Sequence, residues 1–304
     1  TMKYELLTRK AIIMNHFIHS LKLLLRVTLC TAVLTTPLYA APTMWQITDK
    51  DSTVTLYPTV HLLPENIQWQ TAKLNSVINN AEEVWFEVLP DELDPQHMSG
   101  LLARHGYQAE LLSDSLDSAL LQKLSAYLAQ NNVSLTQVHT MQPWLLALTI
   151  MNIELQRNGW SAENGVEAVL RPMTLDKTVK GLETASFQMT LFSTMSDAQQ
   201  AMFLESTLDD TEDGAALLTT IAEAWSKGDL SQLDSLLIQE TKTLYPQIYD
   251  LIFTQRNQKW VAIIEQELAK SGTDFFAVGA GHLVGSDSVV ELLRDKGYEV
   301  KLVD

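Results

Sequence analysis

Cysteine is almost absent from this chain, which has 304 residues and one cysteine, Cys30. Cys30 lies in the N-terminal segment that we interpret below as an export signal, so removal of that segment would leave no thiol. A chain without thiols has no disulfide, no cysteine nucleophile and no thiolate metal ligand. Histidine and carboxylate side chains are therefore the candidates for any metal ligation.

Basic residues are also scarce, with 21 Lys and Arg against 37 Asp and Glu and a net charge of −16. Removing residues 1–40 takes away five basic residues and one acidic residue, which brings the net charge to −20. This charge argues against binding nucleic acid or anionic lipid through a basic surface. The chain also has no Pro- or Gly-rich linker and no internal repeat, so we expect residues 42–304 to form a single domain.

Residues 1–41 are predicted to be a signal peptide. Lys22 and Arg26 supply positive charge, residues 27–34 are mostly apolar, and Ala40 is a small residue at the expected cleavage point. This three-part layout is typical of secretory signals. We therefore expect a periplasmic or otherwise exported protein with no stable membrane span after cleavage.

Other interpretations of the N-terminus remain open. The uncharged stretch 27–45 could be retained as an anchor, although its Thr and Pro residues do not suit a span of about 20 apolar residues. Cys30 resembles a lipoprotein acceptor, but the preceding Leu29 is large for that role. Met14 resembles a natural start, which would leave residues 1–13 untranslated.

Hydrophobic patterning predicts strands at both ends of the chain and helices in between. The predicted strands are 44–48, 53–57, 83–89, 177–182, 274–278 and 298–303. The predicted helices are 69–81, 115–130, 142–156, 161–170, 196–208, 215–227, 230–239, 245–270 and 288–296. This order indicates an α/β fold, with a central mixed β-sheet flanked by helices and a large helical insertion over about residues 95–170.

Two histidines each follow a predicted strand, His61 near the start of the chain and His282 near its end. Ligand sites of α/β sheets lie at the carboxyl ends of strands, so these side chains can converge. Glu87 lies inside an apolar strand, where an unpaired carboxylate is costly to bury. Two imidazoles and a carboxylate are suitable ligands for Zn, Mn, Fe or Co. The alternative is that each residue separately caps a turn or forms an ion pair.

Several short motifs occur in a defined order along the chain. They are Trp45-Gln46-Ile47, Pro58-Thr59-Val60-His61-Leu62-Leu63-Pro64, Phe86-Glu87-Val88, Gly165-Val166-Glu167, Gly181-Leu182-Glu183-Thr184, Arg256-Asn257-x-x-Trp260 and Phe276-Ala277-Val278-Gly279-Ala280-Gly281-His282-Leu283-Val284-Gly285. In this order the motifs resemble those of the TraB/GumN family, over about residues 45–303.

The TraB/GumN family is similar to the Tiki metalloproteases of animals and, more remotely, to erythromycin esterase-like and haem-uptake ChaN-like proteins. The resemblance implies an α/β core with two Gly-x-x-His motifs and a glutamate, which support divalent-metal-dependent peptide cleavage in the Tiki branch. By position, the metal ligands would be His61, Glu87 and His282, and the metal would be Mn, Co or Zn. Pro58 departs from the family pattern because glycine is usual there, and Leu89 stands where many relatives carry an acid.

The main functional hypothesis is an exported metal-dependent hydrolase that acts on a peptide or a small molecule, with no nucleic-acid partner. Glu183 would be a further ligand or general base, unless it is a solvated carboxylate at a strand end. Arg256 would pair with Glu87 or Glu183 or stabilise an oxyanion, unless it forms a purely structural ion pair.

Two alternatives belong to other functional classes. A non-catalytic envelope protein could bind a metal or ligand in the same pocket, and Pro58 in the first Gly-x-x-His motif favours this alternative. An interaction protein could use exposed tryptophans of the helical segments, namely Trp144, Trp160 and Trp225, although such tryptophans are more often buried.

Overall fold

The computed structural model describes residues 41–209 and 214–303, so the predicted signal peptide lies outside the described residues. The strands within these ranges are β1 (Met44–Thr48), β2 (Ser52–Thr59), β3 (Leu63–Pro64), β4 (Glu83–Val88), β5 (Trp160–Ser161), β6 (Thr178–Glu183), β7 (Gly272–Gly279) and β8 (Val300–Val303).

Six of these strands form a mixed sheet in the order β6-β4-β7-β2-β1-β8. Strands β6, β4, β7 and β2 run parallel to one another, and β1 pairs antiparallel with both β2 and β8. The short strands β3 and β5 form a separate antiparallel pair. The predicted α/β fold with a central mixed sheet and flanking helices is confirmed.

The helices of the described residues connect and cover these strands. They are α1 (Ala72–Asn80), α2 (Pro95–His105), α3 (Leu112–Ser115), α4 (Ser118–Gln130), α5 (Leu135–Val138), α6 (Pro143–Arg157), α7 (Val166–Leu170), α8 (Ala185–Ser193), α9 (Asp197–Asp209), α10 (Gly214–Ser226), α11 (Leu230–Leu233), α12 (Glu240–Leu244), α13 (Pro246–Tyr249), α14 (Gln255–Leu268) and α15 (Val289–Asp295).

Both faces of the sheet are buried, because successive side chains of a strand point to opposite sides. In β7, Phe275 and Ala277 pack into one apolar cluster with residues of α1 and α10. Phe276 and Val278 pack into the other cluster with residues of α14 and α15. This two-sided burial explains why the parallel strands have nearly continuous apolar runs in the sequence.

A third apolar cluster lies among the helices that follow β4. Leu120, Leu124 and Leu128 lie one turn apart on α4 and pack with Ile150 of α6 and Leu204 of α9. Their spacing of four residues produces one apolar helix face. The helical segment therefore has a core of its own beside the sheet.

Two predicted helices are interrupted in the structure. The prediction of one helix over 161–170 is wrong, since β5 is followed by a 3-10 turn (Ala162–Asn164) and then α7, with Gly165 in an extended conformation between them. The helix predicted over 115–130 is interrupted after Ser115, the last residue of α3, and α4 begins at Ser118, because Asp117 caps α4 by accepting hydrogen bonds from the first-turn N–H groups of Ala119 and Leu120.

The long helix predicted over 245–270 begins at Pro246 and contains a π-helical segment, Asp250–Thr254, immediately before α14. Such segments are rare and are often found at functional sites. Here the segment brings the carbonyl oxygen of Ile252 within 3.0 Å of Nη1 of Arg256. This hydrogen bond helps to hold the side chain of Arg256 in position.

None of the helices in the part of the chain that the structure describes is long and apolar enough to cross a membrane.

Candidate active site

The five residues expected to form the site lie at one edge of the sheet. His61 follows the end of β2, Glu87 lies near the end of β4, Glu183 is the last residue of β6, and His282 lies in the 3-10 turn after β7. Because these strands are parallel, their carboxyl ends meet at the same edge. Arg256 reaches this edge from the start of α14.

The guanidinium group of Arg256 is the centre of a buried network. Nε donates to both carboxylate oxygens of Glu183 at 3.0 Å, and Nη2 donates to Oε2 of Glu87 at 2.7 Å. Nη1 donates to Nε2 of His282 at 3.0 Å. One arginine thus connects three of the candidate residues, all of them largely buried.

His282 is held as a neutral ring. The amide nitrogen of Asn257 donates to the carbonyl oxygen of Asp287, so its Oδ1 faces Nδ1 of His282 at 2.6 Å and accepts that proton. Nε2 then has a free lone pair for the bond from Arg256. Burial lowers the pKa of His282 to about 3, against the opposing charge of Glu87. His282 is therefore uncharged at neutral pH.

Glu87 is ionised although it is buried. Oε1 accepts from the backbone N–H of Gly279 at 2.7 Å, and Oε2 accepts from Gln188 at 3.1 Å in addition to Arg256. Burial raises the pKa of Glu87, but neighbouring positive charge from His282 and Arg256 outweighs it and holds that pKa at about 2. Since His282 is neutral at pH 7, the charges that keep Glu87 ionised there are those of Arg256 and His61. A Cβ at Gly279 would lie 2.9 Å from Oε1, so glycine permits this close approach.

His61 has a different environment from His282. Its side chain is 60% exposed, and Nδ1 lies 2.9 Å from Oε1 of Glu167 on α7. The negative charge of Glu167 raises the pKa of His61 to about 9. Burial raises the pKa of Glu167, but the charge of His61 outweighs that effect and lowers it. The two side chains form an ion pair at neutral pH.

The exposed ring of His61 lines an open pocket of about 400 Å³. Glu87, Glu167 and Gln188 supply its other polar side chains near the sheet edge. Its remaining lining residues are Phe86, Val88, Pro90, Leu93, Ala162, Ala168 and Arg171. The pocket therefore combines charged groups with an apolar wall, as small-molecule and peptide sites commonly do.

The donor atoms of the expected metal ligands already have protein partners in this arrangement. A zinc ion needs nitrogen and oxygen donors at roughly 2.0–2.2 Å, but Arg256 already donates to Nε2 of His282 and Oε2 of Glu87. His61 contacts Glu167 instead. The described residues contain no group of three or more His, Cys, Asp or Glu side chains that could hold a metal ion. The guanidinium group of Arg256 lies between the carboxylates of Glu87 and Glu183.

Pro58, which departs from the Gly-x-x-His pattern, does not remove a hydrogen bond from the sheet. The pairing of β1 with β2 ends at Leu56, and the carbonyl oxygen of Pro58 accepts a 3.0 Å hydrogen bond from Nε1 of the buried Trp225. The N–H and C=O of one strand residue point to the same side. The missing N–H of Pro58 therefore faces the Trp225 side, and no hydrogen bond to β7 is lost.

The sequence model of the TraB/PrgY/gumN family matches residues 43–302. This protein belongs to that family. The chain is also 26% identical over 187 residues to the uncharacterized protein YbaP of Escherichia coli (strain K12). The aligned residues make up 61% of this chain and 69% of YbaP. YbaP of Shigella flexneri has the same identity and coverage. No solved structure has a significant match.

Two polar residues of this TraB/PrgY/gumN-family site have no role in the sequence-based hypothesis. Glu167 is part of the motif Gly165-Val166-Glu167, so the sequence indicated its position. The sequence did not indicate that Glu167 pairs with His61. Gln188 has no sequence signal, because a glutamine on a helix is usually solvated. Only the packing of α8 against the sheet edge brings Gln188 to Glu87 and Glu183.

Proposed function

We propose that this protein is an exported hydrolase with peptide substrates, and that the reaction takes place in the pocket beside His61 and Glu87. The observation that carries the proposal is an accessible histidine, paired with a carboxylate, in an open pocket at the carboxyl edge of the parallel strands. Active sites of α/β sheets are typically found at this edge.

His61 is the residue placed to move protons. When its ring is neutral, an accessible imidazole backed by a carboxylate can take a proton from water and return it to a leaving amine, and the pKa of about 9 means that His61 is neutral only at alkaline pH. Glu167 keeps the ring oriented and stabilises its charged form. Glu87 adds a negative charge beside the ring, and Arg256 with Gly279 fixes the position of that charge.

The walls of the pocket support a peptide rather than a purely ionic substrate. Val88, Pro90 and Leu93 form an apolar surface beside the charged groups. Such a surface suits an apolar side chain next to a polar bond. Arg171 also lines the pocket and can contact an anionic group of the substrate.

The metal-dependent form of this proposal has Mn, Co or Zn held by His61, Glu87 and His282. Metal binding by these residues would require Arg256 to break its hydrogen bonds to both His282 and Glu87. Elemental analysis of the purified protein tests this form. Wild-type protein with a stoichiometric transition metal, lost in His61→Ala plus His282→Ala, would support it, whereas protein that is active and metal-free would exclude it.

The hydrolase proposal is tested by incubating the purified protein with a peptide library, with and without a chelator and added Mn, Co or Zn. The expected result is cleavage that is lost in His61→Ala and kept in His97→Ala, a matched variant on the exposed side of α2. No cleavage under any of these conditions would contradict the proposal. Cell fractionation tests the exported location, and a cytoplasmic protein would refute that part.

A non-catalytic binding protein is the second candidate. The ion pairs of Arg256 favour it, because they already neutralise the carboxylates that would otherwise act on a substrate. Calorimetric titration with the same peptides distinguishes the two functions. Binding without turnover, reduced by His61→Ala, would favour this candidate over the hydrolase.

A further inference from the structure

The backbone around His61 is joined directly to the segment that carries Glu167. The N–H of Val166 donates to the carbonyl oxygen of Val60 at 3.0 Å. Gly165 packs so closely on His61 that a Cβ at position 165 would lie 2.0 Å from the carbonyl oxygen of His61. Only glycine permits this approach, so the two segments are held in one relative position.

A second set of contacts holds the same two segments beyond the histidine. Leu63 and Pro64 pair with Ser161 and Trp160 as strands β3 and β5. Nδ2 of Asn164 also donates to the carbonyl oxygen of Leu63 at 3.3 Å. His61 therefore lies between two points at which its loop is fixed to the segment before α7.

The contact between the two side chains determines which ring nitrogen carries the proton. Nδ1 of His61 lies 2.9 Å from a carboxylate oxygen of Glu167. A neutral ring without a proton on Nδ1 would place the lone pair of Nδ1 2.9 Å from an anionic oxygen of Glu167, so the charge of Glu167 favours the tautomer with the proton on Nδ1. In a neutral ring Nε2 is then unprotonated. Among residues 41–209 and 214–303, no side chain or backbone group forms a hydrogen bond with this Nε2, and His61 lines the pocket.

We infer that Glu167 is a positioning residue that keeps the proton of neutral His61 on Nδ1 and presents the lone pair of Nε2 to the pocket. A tautomer held this way makes Nε2 the nitrogen that accepts a proton from a pocket ligand. The catalytic consequence rests on the proposed hydrolase function, whereas the tautomer is a property of the folded protein alone.

The tautomer is measured by long-range ¹H–¹⁵N NMR of the full chain, at a pH high enough for the ring to be neutral. The expected wild-type spectrum has a protonated Nδ1 and an unprotonated Nε2 for His61. Glu167→Ala is expected to move the proton to Nε2, and Glu167→Gln, which keeps an oxygen acceptor, to preserve part of the wild-type tautomer. Glu163→Ala is the matched control, because Glu163 is an exposed carboxylate four residues earlier.

A wild-type ring protonated on Nε2, or an unchanged tautomer in Glu167→Ala, would overturn the inference. If peptide cleavage is observed, Glu167→Ala is expected to lower kcat about 10- to 100-fold with little change in KM, as is common when the partner of a functional histidine is lost. If no cleavage is observed, the hydrolase proposal fails while the NMR result still decides the inference.

Discussion

Arg256 donates to Glu87 across 2.7 Å, and both side chains are more than nine-tenths buried. The same guanidinium forms an ion pair with Glu183, which is also buried. Two carboxylates in the interior thus depend on one cation. Because a buried charge without a partner is strongly unfavourable, this network has consequences for stability that are independent of any catalysis.

Substitution Arg256→Ala is expected to destabilise the protein by about 3–5 kcal/mol, because it leaves Glu87 and Glu183 buried without a cation. Urea denaturation measures the change. Arg171→Ala is the matched control, since its ion pair with Asp91 is exposed and such pairs contribute about 0–1 kcal/mol. Equal losses in the two variants would show that the Arg256 network does not stabilise the fold.

Pro58 is expected to be compatible with function, since its carbonyl oxygen is bonded to Trp225 and no hydrogen bond to β7 is lost. Pro58→Gly should therefore not increase peptide cleavage, and it should reduce stability by about 0.4–1 kcal/mol through the more flexible unfolded chain. Parallel cleavage and denaturation assays provide the measurement. A large gain of cleavage in Pro58→Gly would instead identify Pro58 as an inactivating residue.

Asp274 is expected to make stability depend on pH. Burial and the charges of Glu83 and Glu267 raise the pKa of Asp274 to about 6, against the opposing effect of Lys180 and Lys270. An unfolded Asp titrates near 3.9, so the folded state binds more protons between these values and stability falls as pH rises through this window. Above pH about 6 the full penalty of the charged form is present.

Asp274→Asn is therefore expected to stabilise the protein at pH 7 by about 1–3 kcal/mol, with the gain disappearing toward pH 4. Thermal denaturation across this pH range measures the difference from wild type. Asp176→Asn, an exposed aspartate in the turn before β6, is the control and should show little change. A gain for Asp274→Asn that is the same at every pH would rule out titration as the cause.

Gly165→Ala is expected to destabilise the protein by about 1–3 kcal/mol, because the new methyl group would overlap the carbonyl oxygen of His61, a backbone atom that cannot rotate away. Gly100→Ala provides the contrast, since Gly100 lies on α2 with no atom within 4 Å of the added Cβ. This second variant should gain about 0.5–1 kcal/mol from helix propensity. Thermal denaturation of both variants provides the measurement. An unchanged melting temperature in Gly165→Ala would disprove the close approach of Gly165 to His61.

Local patterns in the chain were enough to predict the sheet and most of its helices. The apolar runs of β4 and β7 and the four-residue leucine spacing of α4 each reflect a periodicity within a few residues. The boundaries were less predictable where one side chain decides them, as Asp117 does at the start of α4. The positions of His61 and His282 after strands were also recognisable, because strand ends are local features.

The partners of those residues depend on packing between distant segments. Sequence spacing placed His61, Glu87 and His282 in one group, but α14 inserts Arg256 between Glu87 and His282, and α7 gives His61 its own carboxylate, Glu167. No local pattern encodes such contacts, since Glu87 and Arg256 are 169 positions apart. Hydrophobic periodicity therefore determines the elements of this fold, whereas the charge balance of the site is decided only when the folded chain brings its buried ions together.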